Sequence, residues 1–206
     1  MRTDVKTRRA EYAEQTRAAL IDAAGRAFAE RGYAETALTD VATAARVTKG
    51  AVYHHFSDKR ALFEAVVYEK YESGLQRVYD VVTRYPDDPW GAAVAALTAA
   101  LDEATDPVVA RLIYVEGPVG LGWERWRHAE ERYTRANVRL LLQELVDSGI
   151  YPSDTPIEGM TRVVTGMITH AGIALAEASP RRRRVVRREL FAAIHQIMVG
   201  LRSDGE

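Results

Sequence analysis

Apolar residues in this chain recur every three or four positions, the period of helices with one buried face, and no stretch alternates apolar with polar as a half-buried strand would. The pattern predicts an all-α protein of about nine helices. Leu20, Ile21, Ala24, Ala27 and Phe28 mark a first helix over about 16–31, which Gly32 ends. Leu38, Val41, Ala42 and Ala45 give a short second helix over about 38–45, and "VTKGAVYHHF" (47–56) gives a third. Ser57 and Asp58 then cap a fourth, "KRALFEAVVYEKYESGLQRVYDVVTRY", which at 1.5 Å per residue would run roughly 40 Å and can link two domains. Further breaks are expected at "PDDP", "TDP", "GPVGLG" (117–122), "SGIYPSDTP" and "ASP". The last two helices, about 156–178 and 180–202, are apolar on more than one face. Such a wide stripe asks for a second packing partner, either a homodimer mate or a central place in one core.

On a helical wheel of the third helix, Thr48, Val52, His55 and Phe56 share one side, while Lys49, Gly50, Tyr53 and His54 share the other. Two short helices joined by a tight turn form a helix-turn-helix, whose second helix enters the DNA major groove. Gly50 would let the backbone approach base edges, Lys49 can donate to guanine O6 and N7 or to a phosphate, and Tyr53 and His54 can reach backbone oxygens. Lys59 joins the free amides at the start of the fourth helix as a phosphate contact. The alternative is an ordinary surface with a glycine near a helix end.

The run "ALIDAAGRAFAERGYAETALTDVATAARVTKGAVYHHFSDKRALFEAVV" (19–67) resembles the N-terminal domain of the TetR (tetracycline-repressor-like) transcriptional regulators. Its aromatic pair, glycine and lysine stand at that family's fixed spacing. The resemblance implies a two-fold dimer on a double-stranded DNA operator, released when a small molecule binds the C-terminal domain. It places DNA contacts on Thr39, Thr48, Lys49, Gly50, Tyr53, His54 and Lys59, and a structural role on His55 and Phe56. Two positions depart from the pattern. Arg46 stands where the family favours glycine, at a cost on the order of 1 to 2 kcal/mol if that residue is left-handed. Ala37 replaces the usual Ser or Thr cap, so the cap is expected to pass to Thr36 or Thr39.

The chain divides into three regions: a basic, flexible arm (1–15), a helix-turn-helix domain (16–60) and a helical effector-binding and dimerisation domain (61–206). Net charge is −1 overall, but residues 1–60 carry 11 Lys and Arg against 8 Asp and Glu, a local +3 that suits phosphate. Arg2, Lys6, Arg8 and Arg9 could follow the minor groove or stay solvated. Six arginines between 181 and 188 read as a solvated or dimer-rim face. In the C-terminal region Tyr71, Trp90, Tyr114, Trp126, Met167 and His170, with Trp123 and Tyr133, could line a mostly apolar pocket for an apolar or aromatic effector, though each also suits a core. The glycines and proline of 117–122 would open its mouth.

Other classes find little support. There is no cysteine, which removes disulfides and thiolate metal sites. The histidines lack metal spacing, and neither a phosphate-cradling loop nor a nucleophile elbow occurs. No enzyme activity and no cofactor are expected. The N-terminus lacks a signal-peptide core, and the longest apolar stretch, "WGAAVAALTAAL", is about half a membrane span. The expected setting is the cytoplasm.

Overall fold

The computed structural model describes residues 2–203, with side chains from residue 10 onward. The described residues contain helices and no strand: α1 (Arg2–Glu35), α2 (Leu38–Ala44), α3 (Lys49–His55), α4 (Lys59–Val82), α5 (Pro89–Glu103), α6 (Pro107–Ala110), α7 (Glu116–Leu121), α8 (Trp123–Glu130), α9 (Ala136–Asp147), α10 (Ile157–Glu177) and α11 (Arg183–Gly200). Two π-helical turns, Arg111–Val115 and Glu131–Arg135, join α6 to α7 and α8 to α9, so eleven segments make nine continuous rods. None is long and apolar enough to cross a membrane.

Helix α1 begins at Arg2, not near residue 16, because no glycine or proline interrupts the chain before Gly25. The stretch read as a flexible arm therefore continues the first helix; the side chains of Arg2, Lys6, Arg8 and Arg9 lie outside the described ones. At Gly32 the backbone turns to φ 87°, ψ 166° and the axis kinks. The expected break at 117–122 falls only at its last residue. Pro118 lacks the amide that would return to Tyr114, and the ladder widens to π register over Arg111–Val115, where the Glu116 amide reaches the Arg111 carbonyl, instead of ending. The rod runs on to Leu121 and stops at Gly122, whose φ is 81°.

Leu20, Phe28, Val41, Val52, Phe56, Leu62, Phe63 and Val66 form a dry core under the first four helices. It continues without a gap into Leu112, Leu121 and Trp126 of the following rods, so the first half of α4 packs with the N-terminal helices. Two further clusters hold the distal half, one around Leu101, Leu175 and Ile194, the other around Leu142, Leu145 and Tyr151. Arg183 donates to the carbonyls of Leu175, Ala178 and Thr105, and Arg187 pairs with Asp102 at 2.8 Å. Two members of the arginine run are thus tethers between α11, α5 and the end of α10; Arg181, Arg182, Arg184 and Arg188 are exposed.

Candidate DNA interface and effector cavity

The α2–α3 turn is closed by two bonds, Val47 N–H to the Ala42 carbonyl at 2.9 Å and Arg46 N–H to the Thr43 carbonyl at 3.1 Å. These are the paired bonds of a Schellman motif, which needs a left-handed residue at Arg46. Arg46 adopts it, with φ 57°, the one non-glycine residue of positive φ among those described. A longer side chain therefore occupies the strained position that glycine would take freely.

From this turn α3 projects its two faces as the wheel predicts. Val52 and Phe56 are buried, with Arg17 stacked over Phe56 at 5.3 Å, while Lys49, Gly50, Tyr53 and His54 are exposed. Lys49 Nζ sits 5.9 Å from the Tyr53 ring, so cation and ring act as one patch. Thr48 is exposed rather than turned inward; its hydroxyl accepts the Ala51 amide at 3.2 Å and caps the helix. A Cβ built on Gly50 would meet nothing nearer than Thr48 Oγ1 at 3.8 Å. No neighbour within the chain requires glycine there.

The other two residues expected to contact DNA differ. Thr39 is exposed at the start of α2, but neither it nor Thr36 caps that helix: Ala37 holds the cap position with no side-chain bond, and the buried Thr36 hydroxyl donates to the Gly32 carbonyl at 2.8 Å. Lys59 is half-buried. Its ammonium donates to the carbonyls of Ala34 and Thr36 at 2.9 and 3.0 Å and lies 4.7 Å over the Tyr33 ring. Two of its three N–H donors are thereby engaged inside the protein.

A cavity of about 170 Å³ lies between α4, α5, the Arg111–Val115 turn, α9, α10 and α11. An apolar void of that order takes a single aromatic ring. Of the six residues expected to line it, Tyr71, Tyr114 and Met167 do. Tyr71 stacks on Tyr133 at 5.4 Å with an 8° interplanar angle, and the Tyr114 ring lies where a Cβ on Gly172 would be. Trp90, Trp126 and His170 do not line it. Trp126 is 3% exposed with its indole N–H on the Ile113 carbonyl at 2.8 Å, Trp90 packs between His195 and Arg202, and His170 faces solvent on α10. Trp123 is also outside, and exposed.

Much of the lining comes from residues without chemical distinction, such as Ala93, Ala96, Ala100, Val164 and Ile168, which only the helix arrangement identifies. Polar groups are few and mostly engaged. Tyr133 donates to Glu72 at 3.0 Å, Tyr151 to the Met198 carbonyl at 3.1 Å, and Glu103 holds Arg77 through both carboxylate oxygens. Burial pushes the Tyr71 hydroxyl up and that of Tyr114 to about 12, so both stay neutral donors. Beside them Glu130 is raised to about 7, first by burial and then by the Glu131 charge.

The family model described as bacterial regulatory proteins, tetR family, matches residues 20–66, and one described as tetracyclin repressor-like, C-terminal domain, matches 90–201. The HTH-type transcriptional regulator TtgR of Pseudomonas putida is 47% identical over 98 residues, 45% of this chain and 44% of that protein. The match thus spans less than half the length of that relative. SrpR, also an HTH-type transcriptional regulator of Pseudomonas putida, is 28% identical over 167 residues, 78% of this chain and 75% of its own. A TetR-family transcriptional regulator from Pectobacterium atrosepticum superposes with a TM-score of 0.78 at 26% identity, covering 95% of this chain and 98% of that one. With the helix-turn-helix matched at one end and more than half of the chain matched beyond it, this protein belongs to the tetR family of bacterial regulatory proteins.

Proposed function

We propose that the protein is a cytoplasmic transcriptional repressor that binds a palindromic operator as a homodimer and lets go when a small, mostly apolar effector fills the cavity. The observation that carries the DNA half is Gly50. A glycine in a helix costs up to about 1 kcal/mol relative to alanine, and within 4 Å of a Cβ there stands only the Thr48 hydroxyl. An approaching duplex supplies the missing reason, with Lys49, Tyr53 and His54 placed to bond it and Thr39 and Thr48 alongside. Lys59 enters as a support for the start of α2 more than as a phosphate contact.

The same logic supports dimerisation through α10 and α11. Gly166, in the middle of α10, has open space where its side chain would be, Val163 beside it is 59% exposed, and Val199 on α11 is 43% exposed. A second copy crossing there would bury all three. Tyr71, Tyr114 and Met167 suit an effector of about one aromatic ring with an acceptor for a tyrosine hydroxyl. Selection from a random pool of DNA duplexes tests the operator: two inverted half-sites about 34 to 36 Å apart should be enriched. A pool that stays random through repeated rounds at low salt would sink the reading.

A further inference from the structure

Helix α7 touches both halves of the molecule. A kink at Gly32 takes the next amide off the helical ladder, and the Glu116 carboxylate, whose side chain is 14% exposed, accepts that Tyr33 N–H at 2.8 Å. A Cβ on Gly32 would stand 2.8 Å from Glu116 Oε1, so the bare α-carbon is what admits the carboxylate. Arg111 closes the cluster, with Nε 3.4 Å from the carboxylate and Nη1 3.2 Å from the Glu30 carbonyl. One turn further, Gly120 lets α7 lie against Phe63 and Tyr33, which a Cβ would approach to 2.5 and 3.0 Å.

The opposite contact is with the cavity. The π turn immediately before Glu116 carries Ile113 and Tyr114, both in the cavity wall. A π turn holds one residue more than the α ladder, and returning it to α register would rotate the rest of the rod by about 100° or slide it about 1.5 Å. Glu116 is the first residue to feel that change.

From this geometry we infer that Glu116 is a positioning residue linking the cavity wall to the DNA-binding helices: an occupant pressing on Ile113 and Tyr114 shifts the π turn, and the carboxylate carries the kink of α1 with it. This role presupposes that the cavity is the effector site and that α3 meets DNA.

Amide hydrogen exchange on the full chain reads both ends of the link without an effector. In Glu116→Ala the Tyr33 amide should exchange about 10- to 100-fold faster than in the parent, and in Glu116→Gln, which keeps an acceptor oxygen, within about 3-fold. The second reading adds the duplex recovered by selection. By reciprocity its binding should slow exchange across Arg111–Val115 in the parent and the Gln variant and leave that turn unchanged in the Ala variant. Equal Tyr33 rates in parent and Ala variant overturn the role. Duplex protection that reaches the turn equally in both, or never reaches it in the parent, does so too. Recovery of no duplex would defeat the operator reading alone, and the Tyr33 rates would still decide whether the carboxylate link exists in solution.

Discussion

The outward strip of α3 and the packed interior of the chain answer a missing side chain in opposite ways. At Gly120 and Gly172 the vacant position is filled by Phe63 and Tyr114, so packing inside the chain accounts for the glycine. At Gly50 the space is open, and no packing within the chain accounts for the glycine. Polar groups divide along the same line. Tyr133, Tyr151 and Glu103 around the cavity are bonded within the protein, whereas Lys49, Tyr53 and His54 on the strip make no hydrogen bond or ion pair among the described residues. The strip differs from the interior in what its side chains lack internally.

Substitutions can break this contrast. The largest effect is expected for Gly50→Leu, which should weaken binding of the selected duplex about 100-fold or more, roughly 2.7 kcal/mol, while leaving the melting temperature unchanged or higher. Fluorescence anisotropy with a parallel melt would show it, and a Tm that falls with the affinity would mean that Gly50 serves the fold. Next, Lys49→Ala should cost about 1 to 3 kcal/mol of duplex affinity and relax the preference at one base position. Lys59→Ala makes the opposing case: removing an ammonium from two carbonyls should lower fold stability by about 2 kcal/mol in urea titration, so its lost affinity would follow its lost stability.

Arg46→Gly sharpens the comparison at the turn. Relief of the left-handed arginine should raise stability by about 1 to 2 kcal/mol, and chemical denaturation of the two proteins side by side reads it. The smallest effect belongs to the cavity side. Burial holds the folded Glu130 carboxyl at about 7 against an ordinary 4.5, so the unfolded chain loses its proton first and stability falls as pH rises between those values. Glu130→Gln should therefore melt a few degrees above the parent at pH 8, with the gap closing toward pH 4.5. A gap of equal size at both pH values would rule out ionisation as its cause.

The strip was legible in the amino-acid order because its logic is local: ten consecutive residues and a 100° step place Lys49, Gly50, Tyr53 and His54 together. The turn was legible too, since Arg46 stands where a left-handed residue must be. The internal bonds of Lys59 were not legible because its acceptors, the carbonyls of Ala34 and Thr36, lie more than twenty positions away. The cavity was half visible. Residue type singled out Tyr71 and Tyr114, but it also singled out Trp90 and Trp126, whose rings are consumed by other contacts, and it passed over the alanines of α5, which matter by being small. His170 sits among apolar neighbours on a helix whose apolar stripe extends round to the outside, so its company did not reveal its exposure. The π turns have no marker in hydrophobic period; Pro118 was the available hint, and it reads as a break until the surrounding rods show that the helix can continue.

Lys59, bonded to the Ala34 carbonyl in the last turn of α1 and to the Thr36 carbonyl just beyond it, ties the beginning of α4 to the helices that carry α3. The other end of α4 runs past the cavity at Gly74, Leu75 and Val78. A rod of 24 residues is roughly 36 Å long. Pivoted near its far end, it needs to tip by only about 5° to carry its first turn some 3 Å sideways, close to the 3.4 Å rise between neighbouring base pairs. Under the proposed function, a ligand the size of one ring would thus have leverage enough to set the two α3 helices of a dimer out of step with their half-sites.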